Sequence, residues 1–153
     1  MVTALDIERA RRVAGAVEDP ELPPLTIADL GVLRSVSASD SGLRVRITPT
    51  YSGCPANAVI ALEVDRALRD AGLKATVETE WAPAWSSADI SEEGAAKLKA
   101  MGIAPPRADG AAPDCPRCAS ARTEEISHFG ATACKSLWRC LACREPFEAF
   151  KTI

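Results

Sequence analysis

Cys115-Pro-Arg-Cys118 and Cys140-Leu-Ala-Cys143 are two CxxC pairs with 21 residues between them. Two thiolates three positions apart in a tight turn can grip one tetrahedral ion, at metal–sulfur distances of about 2.3 Å. A second such turn closes the shell, so the chain between the pairs must run out and back. Residues 124–127 and 135–139 have the composition of two strands, residues 128–133 of the turn joining them, and residues 147–151 of a third strand. The spacing therefore predicts a small metal-bound β-ribbon, although the gap slightly exceeds the usual roughly 15–20 residues. A unit of about 40 residues buries too little surface to fold alone, so the metal is its core. Cys115, Cys118, Cys140 and Cys143 are the expected ligands. Four thiolates suit zinc or a single iron by geometry, and zinc is the expected ion.

The remaining cysteines are Cys54 and Cys134. Cys134 reads as a small buried residue, with an additional ligand or reactive thiol as its other reading. His128, the single histidine, falls at the ribbon tip and fits a solvated or partner-contacting role. Hydrophobic residues make up 47% and charged residues 25% of the chain, values typical of globular protein and not of disordered or fibrous chains. No apolar run approaches the ~18 residues a bilayer span needs, and the N-terminus lacks the apolar core of a secretory signal. With a net charge of -3 and clustered thiols, the expectation is a cytoplasmic protein with no membrane partner. A near-neutral ribbon without a basic stripe argues against nucleic acid.

Ahead of the ribbon, residues 104–113 (APPRADGAAP) contain three prolines and read as a linker. This divides the chain into residues 1–103, the linker 104–113 and the ribbon 114–153. The first part predicts an α+β fold: a small mixed sheet of three or four strands covered by helices. Residues 5–17 have a helical apolar pattern. Residues 33–36 and 43–48 flank a Ser-Asp-Ser-Gly turn, and Leu43, Val45 and Ile47 alternate with Arg44 and Arg46. Pro55 opens a helix that Gly72 closes, residues 75–81 form a strand, and Ser91 caps a last helix.

Cys54 lies at the start of that second helix, where backbone amides favour negative charge. On spacing alone it fits a structural cysteine as well as a reactive one. Asp29 fits a loop or cap residue, Asp19 a turn cap, and Trp81 and Trp85 core or interface anchors.

Three segments carry a resemblance: DPELPPLTIADLGVLRSV (19–36), ITPTYSGCPA (47–56) and WAPAW (81–85). They resemble the metal–sulfur cluster assembly domain of the SufT-like iron–sulfur maturation factors. With FGATACKSLWRCLACREPFEAFK (129–151) added, the chain resembles the PaaD/PaaJ family, accessory subunits of the multicomponent phenylacetyl-CoA oxygenase (epoxidase). Such chains often end in a cysteine-containing FKC tail, and here Phe150-Lys151-Thr152 stands in its place. The resemblance implies cluster handling by Asp29 and Cys54, with Thr48 and Thr50 lining the same loop. It implies an accessory maturation factor and not an enzyme. The chain has no Gly-rich dinucleotide loop, no carboxylate–histidine di-iron set and no ferredoxin spacing. The alternative is a structural or electron-transfer subunit using the four-cysteine site. The implied partners are the oxygenase and reductase components, and the implied cargo is a transient iron–sulfur cluster. One Cys54 cannot hold a cluster, so a homodimer or shared ligation would complete the site. Trp85, Phe129, Trp138, Phe147 and Phe150 are candidate docking residues.

Overall fold

A computed structural model describes Met1–Ile153, and contact density divides it into two units, Met1–Trp85 and Ser86–Ile153. The first unit begins with α1 (Ala4–Gly15), where Thr3 and Asp6 form a reciprocal capping box. That box satisfies amides which the helix itself leaves open. β1 (Leu33–Ser39) and β2 (Gly42–Ile47) then pair antiparallel. At the turn, Gly42 has φ +135 and a Cβ there would stand 2.6 Å from the Lys74 carbonyl oxygen, so only glycine fits. α2 (Ala56–Asp70) carries the chain over to β3 (Ala75–Thr79), which lies parallel to β2. The sheet order is β1-β2-β3, with β2 central.

β2 shows why the alternation was readable. Leu43, Val45 and Ile47 are buried, whereas Arg44 and Arg46 face solvent and meet Glu78 at 3.2 and 3.6 Å. α2 buries Ala56, Ile60, Val64 and Leu68, a single four-residue stripe. These side chains complete a core with Leu25, Ile27, Leu30 and Val32. Pro55 is the N-cap of α2 and not its first helical residue, and Gly72, φ +74, ends the turn that follows.

The second unit contains α3 (Glu92–Ala100), capped by the Ser91 hydroxyl, and a four-stranded sheet. Its strands are β4 (Ile103–Ala104), β5 (Thr123–Ser127), β6 (Lys135–Cys140) and β7 (Pro146–Phe150), in the order β4-β7-β6-β5. β4 pairs parallel with β7. α3 packs on β4, whereas α1 and α2 pack against the first sheet. The proline-rich segment 104–113 therefore lies within the second unit. It is tied at one end by β4 and at the other by Thr123 Oγ1, which donates to the Pro113 carbonyl at 2.7 Å. Arg107 braces it through Asp109 and Asp114 at 2.9 and 3.2 Å. Proline content predicts an extended path but not these anchors. No helix is long and apolar enough to cross a membrane.

Candidate functional site

The two CxxC pairs form matching turns. In the first, the Cys115 amide donates to the Ser120 carbonyl at 2.9 Å; in the second, the Cys140 amide donates to the Glu145 carbonyl at 3.0 Å. The residue after each second cysteine, Ala119 or Arg144, sits in the left-handed region at φ 64 or 66. Each chain segment thus wraps its sulfurs onto one point. The four Sγ atoms lie within 4.8 Å of one another, with Cys115–Cys143 at 3.8 Å and Cys118–Cys140 at 3.6 Å. A tetrahedral ion with metal–sulfur bonds of about 2.3 Å requires sulfurs about 3.8 Å apart, so the donor set fits such an ion. All four thiols are free.

The contacts among these groups also shift two of the thiols in opposite directions. The Cys143 amide, donating to the Cys140 sulfur at 3.4 Å, is the main cause holding that thiol down to about 6. Cys143 is pushed up to about 12: the Glu145 backbone bond lowers it, but burial and hydrogen bonding with the other thiols prevail. Such a thiol keeps its proton at neutral pH until a cation displaces it. Four thiolate ligands would leave no open coordination position for a substrate.

Cys134 stands apart from this group. It is buried, with its sulfur 3.0 Å from Thr132 Oγ1. His128 is exposed, with Nδ1 3.8 Å from Glu125. Trp85, Phe147 and Phe150 are only 3–4% exposed, which corrects their reading as docking residues. Phe129 and Trp81 are the exposed aromatics, at 66% and 60%. Exposure here depends on long-range packing: Trp85 Nε1 donates to the Leu30 carbonyl, 55 positions away, at 2.7 Å.

That bond belongs to a second arrangement, in the first unit. β2 and β3 run parallel and β1 antiparallel, so three segments leave the sheet at one end. They are the stretch before β1 containing Asp29, the loop after β2 containing Thr48, Thr50 and Cys54, and the stretch after β3 ending at Trp85. Parallel strands commonly place binding sites at such carboxyl ends. Backbone bonds join the three: the Thr48 amide donates to the Val32 carbonyl at 2.9 Å, and the Glu80 amide to the Ile47 carbonyl at 2.8 Å.

Asp29 is 5% exposed and its Oδ2 accepts from the Thr26 amide at 2.9 Å, while its own amide donates to Thr26 Oγ1 at 3.1 Å. It therefore caps a local turn, as residue chemistry suggested. Asp19 also caps, accepting from the Glu21 amide at 2.7 Å; burial raises its carboxyl pKa above the usual value, against the two amide bonds that lower it. Thr48 is buried and Thr50 half-buried. Cys54 is half-buried, one position before the α2 N-cap, and α2 has no side-chain cap. Its amide donates to the Tyr51 carbonyl at 3.1 Å, and its carbonyl accepts from the Asn57 amide at 3.3 Å. Asn57 reaches across to Thr79 Oγ1 at 3.4 Å, linking this loop to the end of β3. Replacing Trp85 by Phe keeps the burial but removes the bond to Leu30. We expect a loss of about 1–2 kcal/mol in chemical denaturation, the cost of a buried carbonyl losing its donor.

A small α+β domain followed by a four-cysteine β-ribbon is the class these features define, and comparison with known proteins agrees. The family of iron–sulfur cluster assembly proteins matches residues 7–79, and the PaaD zinc beta ribbon domain matches residues 104–151. A putative 1,2-phenylacetyl-CoA epoxidase subunit of Escherichia coli K12 is 42% identical over 144 residues, spanning 90% of this chain and 87% of the relative. The chain belongs to the PaaD family of epoxidase subunits. Among solved structures, a DUF59 domain of unknown function from Bacillus anthracis is 26% identical, with a TM-score of 0.56 over 61% of this chain and 92% of its own. A Mycobacterium tuberculosis protein described as associated with Fe–S complex assembly and repair is 34% identical over 64% of this chain and 84% of its own, with a TM-score of 0.33.

Proposed function

We propose that this chain is a cytoplasmic, non-catalytic maturation factor for a multicomponent phenylacetyl-CoA oxygenase, delivering an iron–sulfur cluster or other metal centre to it. The observation that carries the reading is the coexistence, in one chain, of an assembly-type segment bearing Cys54 and Asp29 with a closed four-thiol site. The closed site supplies stability. The open chemistry is left to the half-buried Cys54, one position before the N-cap of a helix that has no side-chain cap.

In this reading Cys54 binds the cargo, Asp29 and Thr48 shape the loop end that presents it, and Thr50 lines the same loop. A single thiol needs further ligands, which a second copy of the chain or the recipient supplies. The four-thiol site holds zinc, as the description of the matching ribbon suggests. The chain's partners are the oxygenase and reductase components of that system; the name of the Escherichia coli relative, an epoxidase subunit, supports partnership with the other subunits.

Anaerobic reconstitution with ferrous iron and sulfide tests the assignment. The wild type should acquire iron–sulfur absorption and pass it to the apo-oxygenase system, whereas Cys54→Ser should do neither while keeping its zinc. Iron retained in the four-thiol site, with a reversible red colour on oxidation, would instead make the chain an electron carrier. Equal transfer by the Cys54→Ser variant would remove Cys54 from the account.

A further inference from the structure

The segment Phe129–Lys135 serves neither the four-thiol site nor the Cys54 loop, yet it is held firmly. The Gly130 amide donates to the Lys135 carbonyl at 2.7 Å, and the Ala131 amide to Glu148 Oε2 at 3.0 Å. The Lys135 ammonium, on a side chain 8% exposed, meets the other Glu148 oxygen at 3.3 Å. A Cβ at Gly130 would stand 2.7 Å from Glu148 Oε2. What all this presents is a phenylalanine in water. Phe129 is 66% exposed, with the Lys151 ammonium 4.1 Å from its ring centre and the His128 ring edge-on at 5.2 Å. Ile126, 52% exposed, precedes it on β5. Burial gives no reason to hold an aromatic ring outward on a braced loop, whereas partner recognition rewards one that is already ordered.

A cavity of about 300 Å³ opens beside this loop. Pro106, Pro113 and Trp138 form its walls, and His128 and Lys151 stand among its lining residues. Glu125 also lines it but faces His128, and Arg107 is engaged by Asp109 and Asp114. Lys151 donates to the Ala133 carbonyl at 2.9 Å and makes no ion pair, so it is the cation open to an incoming carboxylate.

We infer that Phe129 and this cavity are one docking surface, for a protein segment that sets a carboxylate next to an apolar side chain. The apolar group enters against Trp138 and the prolines, the carboxylate meets Lys151, and Phe129 enters the partner. A second copy of this chain is the poorer occupant. Its exposed acid–apolar stretch on the ribbon, Glu124–Ile126, already commits its carboxylates to Arg139 and His128. Its other exposed pairs of this kind, Leu5-Asp6 and Leu62-Glu63, are held within α1 and α2 and not in an extended segment. The inference rests on the reading that oxygenase components are the partners, and it names the surface that meets them.

The test measures binding of the full-length zinc-loaded chain to purified phenylacetyl-CoA oxygenase components, at several salt concentrations. Phe129→Ala should weaken binding about tenfold or more with zinc content and melting unchanged, because this side chain packs against little of its own unit. Lys151→Gln should weaken it less and flatten its salt dependence. Phe129→Ala binding as tightly as wild type would overturn the inference and leave the partnership standing. A wild type that binds no component would overturn both. If sedimentation shows wild-type self-association that Phe129→Ala abolishes, the occupant is a second copy and the inferred partner is wrong.

Discussion

Stripping the ion from the four-thiol site, or replacing any one of Cys115, Cys118, Cys140 and Cys143 by serine, should unfold the second unit and leave residues 1–85 folded. The reason lies in how little else holds the ribbon. The buried cluster at the four-thiol end is Ala104, Cys115, Cys140, Phe147 and Ala149, with Trp138 packed against it, so two of its five buried members are themselves ligands. The unit's other buried apolar side chains are Leu98, Ile103, Cys134 and Phe150. Zinc binding contributes about 10–16 kcal/mol of apparent folding free energy in small zinc domains, far more than so small a cluster can replace. The first unit has a core of its own, in which Leu25, Ile27, Leu30, Val45, Ile47 and Val64 are fully buried. Chelator titration followed by amide NMR should erase the signals of the ribbon strands and retain those of β1, β2 and β3. Simultaneous loss of both sets would make the chain one cooperative domain. Removing the ion should also become easier on acidification, because protons compete with the metal for the same sulfurs.

A smaller effect is expected within the ribbon. Gly130→Ala should lower its stability by about 1–3 kcal/mol in thermal melts of the zinc-loaded chain, since the new methyl group displaces Glu148 from the Lys135 ammonium and the Ala131 amide.

Much of this architecture was legible in the residues, for local reasons. Leu43, Val45 and Ile47 alternate because one face of β2 is buried, and the CxxC spacing encodes the turn that folds around an ion. Ser91 caps α3 as its side chain and position require. What stayed illegible depends on distant partners. β4 is two residues long and precedes a proline pair, so no pattern marks it; pairing with β7 alone makes it a strand. For the same reason the division between units falls at Trp85 and Ser86, and α3 joins the ribbon. Trp81 and Trp85 share a motif and differ in fate because only Trp85 finds the Leu30 carbonyl. The gathering of the Asp29, Cys54 and Trp85 segments at one sheet end follows from strand directions, which a sequence does not display. The resemblance named those segments together without supplying the geometry.

Replacing Cys54 by serine should leave stability within about 0.5 kcal/mol of wild type, the usual range for a substitution away from the core. It should nevertheless abolish maturation of the oxygenase. The thiol is half-buried in a loop held through its backbone amide and carbonyl, so serine changes the sulfur and little else. A cysteine that merely filled space would behave in reverse, with stability lost and function kept in whatever remained folded. The most direct measurement is the metal content and activity of oxygenase components purified from cells lacking this chain, complemented with wild type or with Cys54→Ser. Metal-loaded, active oxygenase with the wild type and metal-poor, inactive oxygenase with the variant is the predicted result. Fully loaded, active oxygenase from cells without the chain would contradict the account.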